Sequence, residues 1–142
     1  MIGKYTARVD DKGRLFVPAK LRAELGETFY FTLGFHGSRR CLTVYTSQGW
    51  AEFNEQYNRL PPAQKAGPVG IIFSNAVECT PDRQFRFLLS ANLYQYAGID
   101  RDVIIVGQAG QAEIWDAGTY ADYEREMLTP ENLLAALEAM SR

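Results

Sequence analysis

An aspartate followed four residues later by an arginine, each pair opening a short apolar run, occurs twice in this chain: Asp10 with Arg14 and Asp82 with Arg86. The two pairs stand 72 positions apart, and their flanks correspond at the same offset: Leu15-Phe16-Val17 with Phe87-Leu88-Leu89, Ala19 with Ala91, Leu21 with Leu93, and Gly26 with Gly98. Further on the offset is 70: Val44-Tyr45-Thr46 answers to Ile114-Trp115-Asp116, and Trp50, Phe53 and Tyr57 answer to Tyr120, Tyr123 and Met127. The two-residue change is expected in the intervening loop. Internal duplication dictates how the whole chain is divided. A unit of about 70 residues buries too little surface to be robust alone, so the halves are expected to share a core or to pack against other copies.

Within the first unit, Tyr5 to Val9 and Arg14 to Val17 have strand character, and Asp10-Asp11-Lys12-Gly13 has turn chemistry, which predicts a β-hairpin. Asp10 shapes that loop by accepting backbone hydrogen bonds, and Gly13 supplies positive φ. Pro18 fits a first helical turn and Gly26 a helix stop, so a short helix is predicted over Pro18 to Leu25. Two strands follow at Phe29 to Leu33 and Leu42 to Tyr45, joined by a loop over Gly34 to Arg40. Trp50, Phe53 and Tyr57 then fall on one face of a helix, and an aromatic stripe at that spacing is expected to be packing. Leu60-Pro61-Pro62 and Gly67-Pro68 with Gly70 mark a seam. Thr129 as N-cap and Pro130 in the first turn predict a C-terminal helix whose stripe of Leu133, Leu134, Leu137 and Met140 needs a cover.

The formal net charge is -2, yet residues 1 to 22 carry a net +4 from Lys4, Arg8, Lys12, Arg14, Lys20 and Arg22 against Asp10 and Asp11. A basic face on an acidic body can attract a polyanion, because local potential governs docking, while on charge alone a merely solvated face is the commoner reading. The opening residues lack the apolar core of a signal peptide, and no apolar run reaches the ~18 residues of a membrane span, so a cytoplasmic location is expected. Cys41 and Cys79 fit no metal spacing and are read as unpaired thiols without a role. An enzymatic reading finds little material. His36 is the only histidine, no orienting acid or oxyanion site accompanies Ser38, and Gly107 to Gly110 lacks the pattern of a phosphate-binding loop. No enzyme, cofactor or metal is predicted.

The stretch Val9-Asp10-Asp11-Lys12-Gly13-Arg14-Leu15-Phe16-Val17-Pro18 resembles the signature of the MraZ family, within the swapped-hairpin AbrB/SpoVT superfamily. Cys41-Leu42-Thr43-Val44-Tyr45 with Trp50, Glu78-Cys79 before Asp82, Ala97-Gly98-Ile99, Val106-Gly107 and Glu113-Ile114-Trp115-Asp116 follow in the order of that family's landmarks. The resemblance implies an α+β fold: a β-rich module of two AbrB-like swapped-hairpin repeats with short flanking helices, assembling into a ring. It implies a transcriptional regulator of a bacterial division and cell-wall gene cluster, associated with the nucleoid and bound to short direct repeats in its own promoter. Carried over by position, Arg14 and Lys12 are the main DNA contacts and Arg86 the matching one, with Arg8, Lys20, Arg22 and Arg83 in support. Asp10, Gly13 and Asp82 shape the loops.

The expected organisation is a first repeat over residues 1–60, a connecting segment over 61–76, a second repeat over 77–128 and a C-terminal helix over 129–142. The second repeat departs from the first: Phe85 stands for Gly13, Ser90 for Pro18 and Tyr94 for Arg22. Phenylalanine at a position of positive φ is costly, so the second loop is expected to turn differently, with Asp82 and Arg86 serving to hold it. Two other functions compete: an oligomeric protein-interaction module that uses the C-terminal helix and no DNA, and an antitoxin-like regulator.

Overall fold

In the computed structural model, which describes all 142 residues, the strands of each repeat pair with strands of the other. The first repeat supplies β1 (Ile2–Arg8), β2 (Arg14–Phe16), α1 (Ala19–Leu25), β3 (Phe29–His36), β4 (Arg39–Thr46) and α2 (Ser47–Asn58). After a 3-10 turn at Pro62–Gln64 and α3 (Pro68–Ser74), the order recurs as β5 (Val77–Cys79), β6 (Arg86–Leu88), α4 (Ala91–Ala97), β7 (Asp102–Gln108), β8 (Gln111–Asp116) and α5 (Ala117–Met127). The last helix is α6 (Pro130–Met140). The result is a mixed α+β protein, strand-rich, with six α-helices and only antiparallel pairing.

The main sheet runs β1-β7-β8-β4-β3-β5, and β2 pairs with β6 in a separate two-stranded ribbon. The predicted first hairpin is therefore corrected. The turn between β1 and β2 forms, but β1 lies along β7 from Ile2↔Gln108 to Arg8↔Asp102, and β2 lies along β6. β1 thereby gains a ladder along its whole length against β7, whose Val103, Ile105 and Val106 are buried. Gly107 admits this approach, since a Cβ there would stand 2.7 Å from the Ile2 nitrogen.

The predicted loop over Gly34 to Arg40 is also corrected: β3 and β4 extend through it and leave only Gly37-Ser38 as the turn. Its partner is Ala109-Gly110, still 72 residues on, so the shortening to 70 falls inside the sheet and not in the loop, β4 having eight residues and β8 six.

Alternation along the strands gives the sheet two covered faces. On one, 19 buried residues from both repeats form a single core, among them Leu15, Leu21, Phe29, Phe31, Phe87, Leu89, Leu93 and Ile114. A fully buried leucine contributes about 2 kcal/mol by removal from water, so residues such as Leu21 and its counterpart Leu93, both fully buried, bind the repeats together. The other face carries Cys41, Val106 and Trp115, with Tyr120 and Tyr123 of α5 packed on them. The first aromatic stripe packs as expected, Trp50 stacking on Tyr30 at 5.2 Å and Tyr57 meeting Phe73 of α3 at 4.2 Å. Met127, the third member of the second stripe, is exposed. Thr129 caps α6 by accepting from the Asn132 amide, and every residue of that helix is exposed. No helix is long and apolar enough to cross a membrane.

Candidate nucleic-acid interface

Each Asp-x-x-x-Arg pair closes its own loop. In the first, the Lys12 and Arg14 amides donate to Asp10 Oδ1 at 2.9 and 2.8 Å, and Arg14 Nε donates to Oδ2 at 2.9 Å. The Gly13 amide donates to the Asp10 carbonyl at 3.0 Å, and the Asp10 amide donates to the Arg14 carbonyl at 2.9 Å. The second loop repeats every bond: Gln84 and Arg86 amides to Asp82 Oδ1 at 2.9 Å, Arg86 Nε to Oδ2 at 3.0 Å, the Phe85 amide to the Asp82 carbonyl at 2.9 Å. The spacing of four is needed because one carboxylate must reach two amides and a guanidinium at once. Both carboxyls are held below the ordinary aspartate value, chiefly by the bond from the arginine amide.

The expectation of a different second turn is overturned. Phe85 adopts φ +61° where Gly13 has φ +81°. A phenylalanine tolerates this conformation because Arg22 lies over its ring, 3.9 Å from the centroid, with Arg22 Nε donating to the Val17 carbonyl at 3.1 Å. On the opposite side, Tyr94 occupies the position equivalent to Arg22 and donates its hydroxyl to the Gly13 carbonyl at 2.7 Å. Burial pushes the Tyr94 phenol up to about 12. Each loop is therefore covered by a residue of the other repeat. Two of the three departures noted in the sequence, those at 85 and 94, belong to this pair of reciprocal contacts.

The loops sit at the ends of the ribbon. Arg14 faces Leu88, Leu15 faces Phe87 and Phe16 faces Arg86, and the ladder is closed by Val17 donating to the Phe85 carbonyl and Leu89 to the Gly13 carbonyl. Leu15 and Phe87 point into the core, so Arg14, Phe16, Arg86 and Leu88 share the outer face. Only Nε of each arginine bonds its aspartate, which leaves the terminal nitrogens without a hydrogen-bond partner in the protein, on side chains 29% and 23% exposed.

Among the other candidates, Lys12, Lys20 and Arg83 are exposed and make no ion pair. Arg8, at the end of β1, pairs with Asp102 at 3.0 Å, and Arg22 is committed to Phe85 and Val17. Lys4, part of the basic segment, pairs with Glu124 at 2.9 Å. Asp11 meets Arg101 at 3.3 Å. The cations thus divide into a free set, Lys12, Lys20 and Arg83, and a set already engaged within the protein, Arg8 and Lys4 by carboxylates and Arg22 by an aromatic ring and a carbonyl.

A separate cluster lies on the other sheet face. His36, Cys41 and Glu113 bring one donor atom each within 4.8 Å of one another. Glu113 is buried, with Oε2 2.6 Å from His36 Nε2 and Oε1 accepting from Trp115 Nε1 and Gln108 Nε2 at 3.0 and 2.9 Å. Two ligands on one tetrahedral zinc stand about 3.3 Å apart, so the His36 and Glu113 contact is a hydrogen bond and the cluster is a closed network. Burial raises the Cys41 thiol well above its ordinary range and pushes Cys79 up to about 11. Both thiols are unpaired and buried.

The family model described as "MraZ protein, putative antitoxin-like" matches residues 1–67 and 72–141. The chain belongs to the MraZ family. Among MraZ relatives, a protein named Transcriptional regulator MraZ from Moorella thermoacetica is 43% identical over 127 residues, covering 88% of this chain and 87% of that one. A protein of the same name from Desulfitobacterium hafniense (strain Y51) is 42% identical with the same coverage, and one from Halothermothrix orenii is 36% identical over 142 residues, covering 96% of each. The two stretches matched by the MraZ model divide at the seam between the repeats.

Proposed function

We propose that this MraZ protein is a non-enzymatic, sequence-specific DNA-binding transcriptional regulator. The observation that carries the reading is the composite ribbon: one strand from each repeat, two arginines anchored by aspartates, and an open outer face. A two-stranded ribbon fits the major groove, and an arginine there pairs bidentately with guanine. Anchoring through Nε fixes the guanidinium plane in advance, so less freedom is lost on docking. Lys12, Lys20 and Arg83 hold phosphates and set register without reading sequence.

On this reading the repeats are AbrB-like swapped hairpins, for which the cross-repeat strand pairing is support. The module assembles into a ring in the cytoplasm, associated with the nucleoid. A ring offers several ribbons to evenly spaced direct repeats in the protein's own promoter, ahead of division and cell-wall genes, and multivalency raises affinity well beyond one ribbon's. The exposed apolar stripe of α6 favours a second role, the holding of a partner protein.

Gel shift on the DNA upstream of the coding region tests the reading. Arg14→Ala abolishes specific binding while circular dichroism stays unchanged; undiminished affinity would refute the assignment. Lys20→Ala instead weakens binding to all sequences and lowers the salt slope by about one unit.

A further inference from the structure

The outer face of the ribbon holds two large apolar side chains that the core does not use: Phe16 is 52% exposed and Leu88 is 63% exposed. Phe16 lies directly across the ladder from Arg86, and Leu88 directly across from Arg14. Each apolar group therefore has an arginine of the other repeat as its cross-strand neighbour, about 5 Å away between Cβ atoms. The cations nearby are Arg14, Arg86, Lys12 and Arg83, while Asp10 and Asp82 are consumed by the loops and Asp11 by Arg101. An apolar protein surface or a lipid interior laid on this face would leave the terminal nitrogens of the two guanidinium groups, whose Nε atoms alone meet an aspartate, without acceptors. The DNA major groove supplies partners for both kinds of group, because guanine offers two acceptors and thymine offers a C5-methyl.

We infer that Phe16 and Leu88 are specificity-determining residues that contact thymine methyl groups beside the guanines met by Arg86 and Arg14. The inference rests on the DNA-binding reading above and deepens it. Adjacent base pairs rise by about 3.4 Å, so side chains whose Cβ atoms stand about 5 Å apart reach base pairs one step apart once they converge on the base edges. The recognised unit is a guanine with a thymine at the next step, presented twice per ribbon with opposite polarity.

The experiment selects binding sites for the full chain from a pool of random duplexes, then replaces each thymine of the enriched site with uracil, which removes only the methyl group. Each contacted thymine is expected to weaken binding about fourfold on replacement, the equivalent of about 0.8 kcal/mol for one buried carbon. Phe16→Ala removes the effect of uracil at one thymine while leaving dependence on guanine, and Leu88→Ala does so at the other. Uracil duplexes that bind as tightly as thymine duplexes overturn the inference while leaving the DNA-binding reading standing. A change of oligomeric mass in Phe16→Ala or Leu88→Ala, with uracil without effect, assigns the face to a subunit contact and also overturns it. Failure to enrich any sequence removes the DNA-binding reading itself.

Discussion

At the scale of single residues, Asp10 and Asp82 are the pivots, each ordering two amides and one guanidinium. Their folded-state pKa values lie below the ordinary 3.8, so the unfolded chain binds protons first as the solution is acidified. The stability they contribute is fully present above 3.8 and is lost as the pH falls through the lower folded values. Urea midpoints measured from about pH 6 down to about pH 2.5 should fall steeply at the acid end. The double variant Asp10→Asn with Asp82→Asn should flatten that fall; an unchanged slope would show that other carboxylates govern it. These pivots were legible in the sequence, because a turn aspartate and an arginine at fixed spacing form a local device. His36 and Glu113 were not legible as partners, since 77 residues separate them and only strand pairing brings them together.

At the scale of elements, the ribbon is asymmetric in composition and symmetric in shape. Gly13 lies beneath Tyr94, whose hydroxyl oxygen would stand 3.5 Å from a Cβ at position 13, and Phe85 lies beneath Arg22. The sequence showed the departures at 85 and 94 but not their partners, because contact at these positions crosses from one repeat to the other. The expected cost of Phe85 led to a wrong turn geometry for the same reason: the compensating Arg22 sits 63 residues away. Gly13→Phe should destabilise by about 2 kcal/mol, combining left-handed strain with a clash against Tyr94. Adding Tyr94→Arg recreates the second loop's arrangement and should recover about 1 kcal/mol of that loss. Urea unfolding of the four proteins of the cycle measures the coupling, and strictly additive effects would show that the two contacts are independent.

At the scale of the whole molecule, neither repeat contains the partners its own strands need. β1 pairs only with β7, β2 only with β6, and β5 only with β3, leaving the β3–β4 and β7–β8 hairpins as the sole ladders within a repeat. The duplication announced two units, and their small size argued for a shared core, but which strands would cross depended on register over the full chain. Fragments 1–66 and 67–142 should each lack a cooperative unfolding transition when isolated, because a single hairpin is marginal in water. Mixed together, they should assemble one to one and regain the circular dichroism of the intact chain. Pairing of like fragments is disfavoured by the ribbon: two first repeats would set Arg22 over Gly13 in place of Tyr94, and two second repeats would drive Phe85 against Tyr94. Native mass spectrometry of the mixture should therefore show the unlike pair in excess over both like pairs. A statistical mixture of all three would mean that these reciprocal contacts do not choose the partner, and a cooperative transition in either isolated fragment would mean that a repeat folds without the other.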